Sequence, residues 1–216
     1  TARNALWAHS LPKPLSTGSK RQTLQLAKLD LADNNVVLDF KLENSALINV
    51  NFGGNTKSGA AVVGSAEDYW NSYVHPNISD VLMTNLLWSV GSTPSQVSLR
   101  VQNGGGQWGF TTTDPMYATY IYPYDSGSIT LTISNLPTGD YNFYIYGHGG
   151  AITQNSTFTL SSNLVTVGRL FTSNSPDWQQ SSNWISGQQY VKFLSAHFNS
   201  GDVATVVVSS NITTYA

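Results

Sequence analysis

The chain has 216 residues, of which 40% are hydrophobic and only 10% charged, with a formal net charge of −2. That length suits one good-sized domain or a domain plus an extension, and the apolar fraction is enough for a real core. A pI near 6 argues against nucleic acid as the main partner; the absence of cysteine excludes a disulfide framework and a thiolate site, and no apolar run is long enough to span a bilayer as a helix.

Charge is unevenly placed. Residues 1–29 carry Arg3, Lys13, Lys20, Arg21 and Lys28 with no carboxylate, a local +5, while residues 30–216 hold all 12 Asp and Glu against five Lys and Arg, a −7. Opposite fields on two parts of one molecule favour contact between them, within a chain or between copies. The basic stretch begins with Leu6 and Trp7 and passes through Leu11-Pro-Lys-Pro-Leu15, where two prolines in three residues exclude a helix and favour extended chain. Thr23 to Leu31 then alternates as Leu24, Leu26, Leu29 and Leu31 with a phase shift at Ala27 and Lys28, the spacing of a bulged strand. Val36, Leu38, Phe40 and Leu42 form a second alternating run. Residues 1–45 are thus read as an extended basic N-terminal arm with strand-forming segments, and residues 46–216 as a β-sandwich domain.

In the domain, Ile48, Val50 and Phe52 share one phase. Further strands are predicted at Val97 to Val101, Met116 to Tyr122, Ile129 to Ile133, Tyr141 to Ile145, Phe158 to Leu160, Leu164 to Val167, Tyr190 to Leu194 and Val203 to Val207. Turn chemistry separates them, as at Asn103-Gly-Gly-Gly106, Pro137-Thr-Gly-Asp140 and Ser200-Gly-Asp202. Many short strands at close spacing predict an all-β, jelly-roll-type sandwich. Its core should include Ile48, Val50, Phe52, Leu99, Val101, Leu131, Ile133, Phe143, Ile145, Val191 and Phe193, each on the apolar phase of its run. One helical turn or two is expected between Ser65 and Trp70, with Ser65 as cap.

The domain resembles a group of secreted bacterial β-sandwich modules, similar in look to galactose-binding-like and carbohydrate-binding domains. The resemblance rests on Ile48-Asn-Val-Asn-Phe-Gly-Gly54, Asp68-Tyr-Trp-Asn71, Asp114-Pro-Met-Tyr117, Leu136-Pro-Thr-Gly-Asp-Tyr-Asn-Phe-Tyr-Ile-Tyr-Gly-His-Gly149 and Gln189-Tyr-Val191, over residues 46–210. It implies a secreted protein whose sandwich closes with one more apolar strand, of the kind Ala-Ile-Asn-Gly-Leu-Gln-Ile, than the sequence to Ala216 supplies. The opening Thr1 fits a product of signal-peptide removal.

No catalytic motif survives inspection, and no enzyme activity is expected. The four histidines lack metal-ligand spacing; Gly147-His-Gly-Gly150 resembles a lipase oxyanion loop, but the Gly-x-Ser-x-Gly elbow it needs is missing. No cofactor or metal is predicted; Asp33-Asn34-Asn35 and Gly139-Asp140 are the candidate oxygen groups for a structural calcium ion. Trp70, Trp108, Trp178 and Trp184 stand among polar residues and are candidate sugar-stacking rings. Asn77, Asn155 and Asn211 open Asn-x-Ser/Thr sequons and are candidate glycosylation sites.

Two functions stay open. In the first, the protein is a secreted protomer of an extracellular filament, a homopolymer built when Leu24, Leu26, Leu29 and Leu31 enter the groove that a missing strand would leave in a neighbouring domain, while Arg3, Lys13, Lys20 and Arg21 lie along its acidic surface. Twenty extended residues reach roughly 65 Å, more than the ~40 Å width of such a domain, so the arm could fold back in cis or add in trans. In the second, the chain is a glycan-binding module of a surface polysaccharide system, with the tryptophans as its platform.

Overall fold

A computed structural model describes residues 47–53, 57–74, 80–109, 118–123, 127–147, 155–173 and 184–210, and the backbone alone of residues 23–26 and 40–43. The chain divides into two units, Thr1–Ser45 and Ala46–Ala216.

The first unit holds β1 (Thr23–Leu26) and β2 (Phe40–Glu43). They pair antiparallel, with Leu24 opposite Leu42 and Leu26 opposite Phe40. The two alternating runs of the arm therefore pair with each other, and one edge of β1 is occupied inside its own unit. The arm's two strand-forming segments are in this respect a ribbon. Arg3, Lys13, Lys20, Arg21, Leu29 and Leu31 lie outside the described residues.

The second unit contains β3 (Val50–Phe52), β4 (Asn71–Tyr73), β5 (Asp80–Met83), β6 (Ser98–Gln102), β7 (Gly106–Gly109), β8 (Thr119–Tyr122), β9 (Ile129–Ser134), β10 (Gly139–Tyr146), β11 (Ser156–Ser162), β12 (Val165–Phe171), β13 (Tyr190–Phe198) and β14 (Ala204–Ser210). No helix occurs among the described residues, and the architecture is all-β as the periodicity predicts. The expected helical turn at Ser65 is a single tight turn: the Asp68 amide donates to the Ser65 carbonyl at 3.2 Å, and the Ser65 hydroxyl donates to Asp68 Oδ1 at 2.8 Å. Asp68 leads directly into a β-bridge at Tyr69, so too few residues remain to propagate a helix.

One six-stranded sheet runs in the order β12-β11-β14-β9-β6-β5. Facing it are three separate pairs, β10-β13, β3-β4 and β7-β8, rather than a second continuous sheet. Between the layers lies one hydrophobic core in which Phe158, Leu160, Phe198, Val101, Val206 and Tyr73 are almost wholly buried. Gly147 has a packing role there: a Cβ on it would lie 2.2 Å from the Phe158 ring. That contact accounts for the first glycine of the lipase-like Gly-His-Gly-Gly run without any catalytic purpose.

All 11 residues expected in the core belong to the core cluster, but they separate into two groups. Leu99, Val101, Leu131, Val191 and Phe193 are buried, whereas Ile48, Val50, Phe52, Ile133, Phe143 and Ile145 are only half-buried.

Candidate functional site

The half-buried group marks the site. An apolar cleft of about 320 Å³ opens between the layers of the second unit, and Ile48, Val50, Phe52, Ile133, Phe143 and Ile145 all line it. Its floor is the inner face of the six-stranded sheet, with Leu99 on β6, Ile129 and Leu131 on β9, and Val206 and Val208 on β14. On the opposite layer, the alternation of β10 turns Tyr141, Phe143 and Ile145 inward, and Ile121 on β8 joins them.

Strand β10 sets one wall. It pairs antiparallel with β13 alone among the described strands, with Phe143 opposite Phe193 and Ile145 opposite Val191. Its other edge therefore carries no strand ladder among the described residues. Such an edge presents backbone N–H and C=O groups at the ~3.3 Å per residue rise of a strand, which is the template for strand addition. A register shift between Tyr141 and Phe143 puts an extra residue on β13. There Ser195 takes φ 55°, and its amide donates to Asn142 Oδ1 at 3.0 Å, so the bulge is held by a side chain. Tyr141 closes one end, with its ring 5.9 Å from that of Phe198. Burial pushes its phenol pKa up, so the hydroxyl stays protonated at neutral pH.

The sequence-predicted site residues fall in different places. Trp70 is 7% exposed; its indole Nε1 donates to the Gly59 carbonyl at 2.7 Å, and the Lys57 ammonium lies 5.6 Å from the ring centroid. Its ring is mostly buried and lines the cleft. Trp184 meets the rings of Tyr146 and Tyr190 edge-on at 5.0 and 6.5 Å, which makes it part of an aromatic cluster on β10-β13 whose Tyr146 also lines the cleft. Trp108 stands apart at 60% exposed. Trp178 lies outside the described residues.

Asn155 is 7% exposed and the next two residues, Ser156 and Thr157, are 6% and 2% exposed. An oligosaccharide on Asn155 would have to open the start of β11. Asn77 and Asn211 fall outside the described residues, as does Asp33-Asn34-Asn35. No group of three or more metal-ligating side chains is found among the described residues.

Asp140 faces His197, whose Nδ1 lies 2.8 Å from Asp140 Oδ1 on the protein surface. The hydrogen bond to Asp140 is the main cause that raises the His197 pKa above its ordinary value. The pair stabilises the fold fully below the unfolded-state pKa of about 6.5, and that contribution is lost as pH rises through the higher folded value. Asp140→Asn should bring the His197 titration, followed by NMR of the ring protons, down towards the ordinary value; an unchanged midpoint would remove Asp140 as the cause.

Compared with protein-family models, curated proteins and solved structures, the chain matches none of them. Function is therefore read from the geometry of the chain itself.

Proposed function

We propose that this chain is a structural protomer that assembles into an extracellular filament, with a strand from residues 22–31 of one copy added to the cleft of the next. The observation that carries this reading is the coincidence of the cleft with the half-buried part of the core: six apolar side chains on inward phases line an opening beside the unladdered edge of β10. Fully burying a Val, Leu, Ile or Phe side chain is worth about 1.5–3 kcal/mol, so completing the burial of six half-covered ones supplies several kcal/mol. Backbone pairing along β10 satisfies the edge at the same time.

The donor side fits in pattern and charge. Leu24, Leu26, Leu29 and Leu31 offer apolar side chains with strand-like alternation. Since β2 occupies one edge of β1, the added strand uses the other edge and arrives as part of a ribbon. Residues 46–216 carry eight Asp and Glu against four Lys and Arg, a net −4 that complements the +5 of residues 1–29. A head-to-tail contact between the arm of one copy and the cleft of the next makes a fibre when it does not close on itself. The low charge content and the abundance of Ser, Thr, Asn and Gly suit a secreted, strand-rich protein of this kind.

Negative-stain microscopy of the full-length protein tests the reading at once. Fibres of uniform width are expected; a protein that remains monomeric at high concentration, with its arm packed on its own domain, overturns assembly in trans.

A further inference from the structure

A second surface lies on one of the cleft-bordering pairs. Strands β7 and β8 pair with Trp108 opposite Tyr120 and Gly106 opposite Tyr122, so these four positions share one face of the ribbon. The alternate position Ile121 packs against the core, so the face bearing Trp108 points away from it. Trp108 is 60% exposed and Tyr122 37%, while Tyr120, 6.5 Å from Tyr122 with 57° between the ring planes, borders the cleft as well.

Gly106 decides how this face is presented. A Cβ there would lie 2.0, 2.2 and 2.4 Å from three atoms of the Tyr122 ring. The ring is therefore laid across the glycine backbone, in the manner of an aromatic side chain covering a strand glycine. A ring lying on the sheet turns its π-face outward, and a neighbouring exposed indole extends that surface.

We infer that Trp108 and Tyr122, flanked by the tilted ring of Tyr120, form a stacking platform for an uncharged polysaccharide of pyranose rings. Sugar rings bring flat C–H surfaces to the π-faces and hydroxyls to the tyrosine oxygens. Charge argues against the other class of ligand that stacks on aromatic rows. Nucleic acid needs cations along its backbone, and neither Gly106–Gly109 nor Thr119–Tyr122 contains a Lys, Arg or His. Size argues against a protein partner. Four residues per strand make a two-stranded face about 13 Å by 10 Å, roughly 130 Å², far short of the roughly 800 Å² per partner of a stable protein interface.

The test is isothermal titration calorimetry of the full chain with three soluble neutral polysaccharides, a mixed-linkage β-glucan, a xylan and a galactomannan, and with polygalacturonate as a charged comparator. Binding to at least one neutral polymer is expected. Trp108→Ala should weaken it by about ten-fold or more, as loss of a stacking ring predicts, while Trp108→Phe retains most of it. Gly106→Ala removes no aromatic group but lifts the Tyr122 ring, and it should weaken binding as well. Circular dichroism checks that each variant keeps its sheet content. The inference is overturned if no neutral polymer binds, if polygalacturonate alone binds, or if both Trp108→Ala and Gly106→Ala bind as the unaltered protein does. Since neither Trp108 nor Tyr122 lines the cleft, loss of fibres and loss of sugar binding on changing Trp108 or Gly106 separate cleanly.

Discussion

Deleting residues 1–31 should abolish polymers and leave a folded domain with its cleft open. Among the described residues, the core cluster of Phe158, Leu160, Phe198 and Val206 lies within residues 46–216. The full-length double variant Leu26→Asp, Leu29→Asp should behave the same way, because two carboxylates cannot enter an apolar cleft without partners; burying even one such charge costs several kcal/mol. High salt alone should leave existing fibres intact. Surface attraction between the +5 segment and the acidic domain is screened within about 8 Å at physiological ionic strength, while backbone pairing and leucine burial are not. Sedimentation velocity on the three proteins measures the outcome, and fibres from the arm-deleted protein would refute assembly through the arm.

Strand positions were legible in the sequence wherever side chains alternate strongly. Ile129 to Ile133, Tyr141 to Ile145 and Tyr190 to Leu194 read directly because a half-buried strand imposes period two on its apolar residues. Strands β4, β5 and β7 were not legible. Asn71-Ser-Tyr73 is polar in composition yet buries Asn71 and Tyr73 on one phase, with the Asn71 side chain donating to the Asn49 and Leu87 carbonyls, each at 2.9 Å. A strand held by buried amide bonds leaves no hydrophobic signal. Gly106-Gln-Trp-Gly109 looks like a continuation of the preceding glycine-rich turn, because the aromatic ring that gives Gly106 its purpose sits on the other strand.

The candidate sites were legible to a lesser degree, for the same physical reason. Four tryptophans in polar company look alike along the chain, and only tertiary structure separates Trp70, which donates into the loop at Gly59, from Trp108, which faces solvent. The sequon at Asn155 follows composition and is blind to the burial that β11 imposes. The cleft itself depends on which strands of the second layer fail to pair, a non-local property. The sequence supplied the inward phase of Phe143 and Ile145 but had no means to show that their cover is partial.

That partial cover leads to the second large effect. Phe198→Ala should destabilise the arm-deleted monomer by about 3–5 kcal/mol, the usual cost of removing a fully enclosed aromatic ring. Phe198 has no exposure at all, and it meets Tyr141 and Phe143 at centroid distances of 5.9 and 5.8 Å. Phe143→Ala, one layer nearer the opening, should cost the same monomer less, about 2 kcal/mol, since part of its surface is already in contact with water and there is less burial to lose. In the assembled fibre the order changes: Phe143 is then covered by the added strand, and its removal should speed dissociation strongly. Urea unfolding of the monomeric variants and dilution-driven disassembly of the full-length ones measure the two quantities separately. Equal cost for Phe143→Ala and Phe198→Ala in the monomer would mean that the domain closes its own cleft, and Phe143→Ala fibres that persist as long as unaltered ones would mean that the added strand binds elsewhere.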